Sequence, residues 1–92
     1  MQIVLSSNFD ITGMLGRDTV ELQQGASVRS LFEMLRQQCQ LNLIDPQSGE
    51  INSSDFTVLL NGKEHPFWPR GLATPLRDAD EVRVLVIPLA GG

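Results

Sequence analysis

The chain has one cysteine, Cys39, among its 92 residues. That excludes an intramolecular disulfide and any metal site built on two or more thiolates. It also excludes a ferredoxin-type iron–sulfur carrier, whose cluster needs four. Lysine is nearly missing as well: six of the seven cations are arginines, and Lys63 is the exception. They are scattered, no basic run exists, and the formal net charge is −4. Non-specific binding to nucleic acid or to an anionic membrane needs a basic surface, so neither partner is expected. No stretch approaches the roughly 18 apolar residues that cross a bilayer. The opening MQIVLSSNFD lacks the basic start and long apolar region of a signal peptide, so the cytoplasm is the expected compartment. His65 has no Ser, Cys or Asp at a triad-like spacing, and no phosphate loop is visible, so stand-alone catalysis is not expected.

What is present fits one small domain. A chain of this length buries about 60–65% of the surface that its unfolded form exposes. It has one core and little room for an internal catalytic cavity, so function belongs on a surface or at an end. Met1–Ser7 reads as a strand with Ile3 and Leu5 on one face. Asp10–Arg17, with two glycines, reads as a loop or wide turn, and Asp18–Gln23 as the returning strand of a hairpin. Ser27 is a good N-cap for a helix over 28–39, in which Val28, Leu31, Phe32, Leu35 and Cys39 form an apolar stripe. Ser30 with Glu33 offers an alternative capping box one turn later. Gln40–Asp55 reads as a long loop, with Leu41, Leu43 and Ile44 available to tuck under the helix end. Phe56–Leu60 is a strand, Asn61-Gly62 a tight-turn signal, and Lys63–His65 a short return strand. The segment from Arg70 to Asp80 is irregular. Glu81–Ile87 is the strongest strand in the chain, and Pro88 ends it.

The end of the chain carries the chemistry. Leu89-Ala90-Gly91-Gly92 follows a strand stopped at a proline. A Gly-Gly end arises by chance in roughly one chain in 200 at average glycine usage. Without Cβ atoms, Gly91 and Gly92 can enter a narrow channel that closes around the backbone. Residues 88–92, if extended, reach roughly 17 Å. The carboxylate of Gly92 can thus enter another protein's active site while the body docks outside. A free carboxylate is a poor electrophile and has to be activated, for which adenylation by ATP in a partner is the usual route.

Three stretches resemble a known family. Val58-Leu59-Leu60-Asn61-Gly62-Lys63-Glu64 is similar to the "VNG" hairpin of bacterial sulfur carriers. Thr74-Pro75-Leu76-Arg77-Asp78-Ala79-Asp80-Glu81-Val82 is similar to their "TPLKDGDEV", and Ile87-Pro88-Leu89-Ala90-Gly91-Gly92 to their "PPVAGG" end. The family is MoaD/ThiS, which comprises the small subunit of molybdopterin synthase and the thiamine-pathway sulfur carrier. The resemblance implies an α+β fold, the ubiquitin-like β-grasp, with a mixed sheet of four to five strands on one main helix. Residues 1–87 would form that domain and 88–92 a flexible tail. It implies a cycle in which a ubiquitin-activating-type enzyme adenylates Gly92, ATP being used by that partner and no cofactor being bound here. A sulfurtransferase or cysteine desulfurase then supplies sulfur, and the resulting thiocarboxylate donates it in an acceptor enzyme such as a molybdopterin synthase large subunit. The "PPVAGG"-like end, Pro88 included, favours the molybdopterin pathway over the thiamine pathway. Ala79 departs from the family, which commonly has glycine there.

A docking surface is expected beside the tail. In the last strand Val82, Val84 and Val86 alternate with Leu85 and Ile87. With the valines toward the helix, Leu85 and Ile87 join Leu59 on the open sheet face, and Pro88, Leu89 and Ala90 continue the contact to the partner. Such a patch marks a docking site. Partial cover of this face by Phe67 and Trp68 is the competing reading. Two other functions share these features: a ubiquitin-like modifier joined to proteins through Gly92, and an interaction module whose Gly-Gly is incidental. Cys39 reads as a buried hydrophobe. Asp78, Asp80 and Glu81 read as turn formers rather than cation ligands.

Overall fold

The computed structural model describes residues 1–11 and 14–87, and within 10–17 it describes no side chains. Five strands and one helix follow one another: β1 (Gln2–Ile11), β2 (Met14–Glu21), α1 (Val28–Cys39), β3 (Phe56–Leu60), β4 (Lys63–Glu64) and β5 (Glu81–Val86). Two short 3-10 turns, His65–Phe67 and Gly71–Ala73, lie between β4 and β5. The strands form one sheet in the order β2-β1-β5-β3-β4. β1 and β5 are the parallel pair, and every other pairing is antiparallel.

Alternation in the central strands places the core. Ile3, Leu5, Val58, Val82 and Val84 are at most 1% exposed and face α1, whose Val28, Leu31, Phe32 and Leu35 are buried to the same degree. The stripe at spacings of three and four therefore meets the alternating faces of three strands, which is how one helix covers one side of a sheet. Cys39, the last stripe member, is only half-buried. Ser27 caps the helix. Its hydroxyl accepts from the Ser30 N–H, and the Ser30 hydroxyl accepts from the Ser27 N–H. The helix therefore starts at the first of the two candidate caps, and Ser30 serves as the reciprocal partner instead of opening a second box. Gln40 closes it in the left-handed region at φ 55°.

Several local expectations are corrected. Most of the expected Asp10–Arg17 loop is strand, since β1 runs to Ile11 and β2 begins at Met14, with a register shift between Ser6 and Asp10, while Thr12 and Gly13 lie outside the described residues. Cross-strand pairing, Asp10 with Leu15 and Ile11 with Met14, carries the ladder into the stretch that its glycines mark as irregular. His65 belongs to a 3-10 turn and not to the return strand, because Pro66 has no N–H for a ladder. The irregular 70–80 segment is tied down: Val28 N–H donates to Thr74 O at 3.0 Å, and Leu76 N–H to Ala26 O at 2.9 Å. Leu72 and Leu76 join the core through it. Trp68 is buried in that core, with its indole N–H donating to Lys63 O at 2.8 Å, so it does not cover the open face. Within the 40–55 loop, Leu43 is buried as expected, and Ile44 and Ile51 form an isolated bridge.

Candidate functional site

The candidate site is the end of β5 together with the sheet face opposite α1. Leu59 lies directly across from Arg83, and Thr57 across from Leu85. Leu59 and Leu85 are therefore diagonal neighbours on one face, a separation of about 7–8 Å between backbones that leucine side chains bridge. Both are half-buried, and Ile87 beyond them is 39% exposed. The pairing places Leu59 and Leu85 on the face opposite the buried valines, and Ile87 follows just past the end of β5. Val86 departs from expectation. It is 38% exposed, whereas Val82 and Val84 before it are fully buried. The apolar patch is framed by charge: Arg83 is exposed, and its Nε donates to the buried Ser6 hydroxyl at 3.4 Å. Glu64, opposite Leu59 on β4, is exposed as well.

The point at which the chain leaves the sheet is held on two sides. Parallel pairing of β1 with β5 runs only from Val4↔Glu81 to Ser7↔Val84. Past it the Asn8 side chain takes over: its Oδ1 accepts from Val86 N–H at 2.9 Å and its Nδ2 donates to Val86 O at 3.4 Å. An amide side chain thus imitates one more ladder residue. On the β3 side, Ile87 N–H donates to Asp55 O at 2.8 Å. The direction of residue 87 is thereby fixed relative to the Leu59–Leu85 patch. Asn8 and Asp55 were not singled out from sequence, although asparagine inside a strand is disfavoured enough to be a signal. Pro88, Leu89, Ala90, Gly91 and Gly92 lie outside the described residues.

The remaining polar candidates have structural partners. Asp78 Oδ1 accepts from Gln2 N–H at 2.7 Å, and Asp80 Oδ2 from Arg77 N–H at 2.8 Å, which builds the turn entering β5. Asn61 joins that turn from the β3–β4 hairpin, donating to Asp80 Oδ1 at 3.0 Å and accepting from Glu81 N–H at 2.9 Å. No group of three or more His, Cys, Asp or Glu residues able to hold a metal occurs among the described residues. Within them, no helix is long and apolar enough to cross a membrane. His65 Nδ1 accepts from Val58 N–H at 3.1 Å, so the neutral ring carries its proton on Nε2. Burial lowers the pKa of His65 below its ordinary value of 6.5, against the pull of the Glu64 carboxylate in the other direction.

A mixed five-stranded sheet with a parallel central pair and one covering helix is the ubiquitin-like β-grasp fold. Known structures share it. The Haloferax volcanii HVO 2177 protein superposes with a TM-score of 0.77 at 28% identity, covering 100% of this chain and 87% of that one. SAMP1 from Haloferax volcanii gives 0.71 at 18% identity, with 100% of both chains covered. A Pyrococcus furiosus protein assigned as subunit 1 of a molybdopterin converting factor gives 0.65 at 18% identity, over 95% of this chain and 98% of that one. No curated protein matches the sequence significantly. The ThiS family matches residues 3–92, and the chain belongs to that family of ubiquitin-like sulfur carriers and modifiers.

Proposed function

We propose that the chain is a sulfur carrier whose working group is the Gly92 carboxylate. The observation that carries this reading is the Gly91-Gly92 end, which the family match includes and which follows a strand exit held by Asn8 and Asp55 beside an apolar face. A ubiquitin-activating-type enzyme docks on Leu59, Leu85 and Ile87 and takes Pro88–Gly92 into its active site. A Gly92 carboxylate oxygen attacks the α-phosphorus of ATP, and pyrophosphate leaves. The terminal sulfur of a persulfide on a sulfurtransferase or cysteine desulfurase then adds to the carbonyl carbon, the C–O bond to AMP breaks, and a thiol cleaves the resulting acyl disulfide, which leaves the thiocarboxylate and a disulfide. The thiocarboxylate passes its sulfur to a precursor in an acceptor enzyme, and water restores the carboxylate. Gly91 contributes a backbone without a side chain, which the narrow channel requires.

The chain acts as a co-substrate in the cytoplasm and supplies no catalytic group of its own. The pathway is molybdopterin synthesis, favoured by the "PPVAGG"-like end and consistent with the likeness to the Pyrococcus furiosus protein. A modifier role through the same carboxylate is the second reading, which the likeness to small archaeal modifier protein 1 keeps in view. The test is ATP–pyrophosphate exchange by the cognate activating enzyme. Exchange that requires this chain and disappears on deletion of Gly92, with the circular dichroism unchanged, supports activation at that carboxylate. Exchange that survives the deletion refutes it.

A further inference from the structure

On the helix side of the sheet, away from the Leu59–Leu85 face, a groove of about 630 Å³ opens between the start of α1 and the 49–53 and 65–73 segments. Arg29 and Arg70 both line it, both are exposed, and neither makes an ion pair among the described residues. Glu50 is the single carboxylate in the lining. The groove therefore carries a local positive excess on a chain whose net charge is −4. Ile51 and Trp68 give it an apolar wall. His65 also lines it, and its Nε2 is buried without a partner among the described residues. Since Nδ1 is occupied by Val58 N–H, that nitrogen is a donor, and a buried donor left unpaired is costly.

We propose that this groove docks an extended acidic segment of a partner protein. Its carboxylates pair with Arg29 and Arg70, and its apolar side chains lie over Ile51 and Trp68. Guanidinium pairs suit this task because their planar donors match carboxylates two at a time. A chain fits better than a compact acid, for small-molecule sites enclose most of their ligand. Here the receptive surface continues: Arg29 also lines a second hollow of about 220 Å³, with Ile44 and Pro46. The 40–55 loop, which contributes to both hollows, thereby gains a role that the tail chemistry does not give it.

The test is a titration of the isotope-labelled full chain with a blocked peptide of alternating glutamate and leucine. Trp68, the sole tryptophan, serves as a fluorescent reporter in the groove. The expected result is a shift of Trp68 emission and of the Ile51, His65 and Arg70 amide signals, with Leu59 and Leu85 unmoved. The double variant Arg29→Glu/Arg70→Glu, which keeps its signal dispersion because both sites are exposed, is expected to bind at least about tenfold more weakly. Deletion of Gly91-Gly92 is expected to leave binding intact, so this docking and the carrier reading fail separately. Equal binding of the lysine–leucine counterpart, undiminished binding by the double variant, or no shift at all would overturn the proposal. Benzoate moving the same signals at equal concentration would also overturn it, in favour of a small-acid site.

Discussion

Ala79 holds a backbone conformation that its side chain opposes. Its φ is 71°, in the left-handed region. The position cannot relax, because Ala79 N–H donates to Gln2 O at 2.7 Å and Asp80 N–H to Arg77 O at 3.1 Å. The first bond joins the turn before β5 to the start of β1, its parallel partner at the centre of the sheet, and the second closes the turn itself. An L-residue in this region costs roughly 1–2 kcal/mol. Replacing it by glycine removes that strain but returns about 0.4–1 kcal/mol of unfolded-chain entropy. At the midpoints of these two ranges Ala79→Gly is expected to stabilise the fold by about 0.8 kcal/mol, which for a domain of this size raises Tm by about 3–6 °C. Urea unfolding with an unchanged m-value, run beside calorimetry, measures it. A lower Tm, or none of the gain, would refute the account of this turn.

Other outcomes follow from the same geometry. Leu85→Asp removes a half-buried side chain from the open face. It is expected to cost less than about 2 kcal/mol of stability while weakening binding to the activating enzyme at least about tenfold by calorimetric titration; global unfolding would remove Leu85 from that face. Asn8→Ala deletes both amide bonds to Val86. It is expected to cost about 1 kcal/mol and to raise amide hydrogen exchange at Val86 and Ile87, and unaltered exchange there would mean the clamp does not hold the exit. For His65, the folded pKa is lowered, so the unfolded chain takes up the proton first as pH falls. Stability is then lost on acidification from the unfolded value of about 6.5 down through the lowered folded value. His65→Asn keeps an acceptor for Val58 N–H but does not titrate. Its urea midpoint should fall less than that of the parent between about pH 7 and about pH 5.5, and parallel curves would refute this.

What could be read from sequence was local or periodic. The α1 stripe, its Ser27 cap and the alternation of β5 follow from spacing, and Asn61 and Gly62 do adopt positive φ, at 51° and 88°, as a two-residue hairpin needs. The glycine-bearing stretch after Asp10 misled because pairing between β1 and β2, and not the propensity of either, decides how far the hairpin extends. Asn8 was missed for a related reason: its role exists only once β5, nearly eighty residues later, lies beside it. Trp68 looked like a surface cover because nothing local shows that its N–H finds Lys63 O inside the core. That Leu59 and Leu85 lie opposite the buried valines was legible, since strand alternation fixes which side chains share a face. The Arg29–Arg70 groove was not, because the two arginines are brought together only by the packing of the 70–76 segment on the start of α1.

The most direct test of the carrier reading is the intact mass of the chain recovered from its own cells, with and without an alkylating reagent. A species heavier by the exchange of one oxygen for sulfur, alkylated at that sulfur and mapped to Gly92, is the predicted result. An unmodified carboxylate, still unchanged after incubation with ATP, sulfide and the candidate activating enzymes, would contradict it.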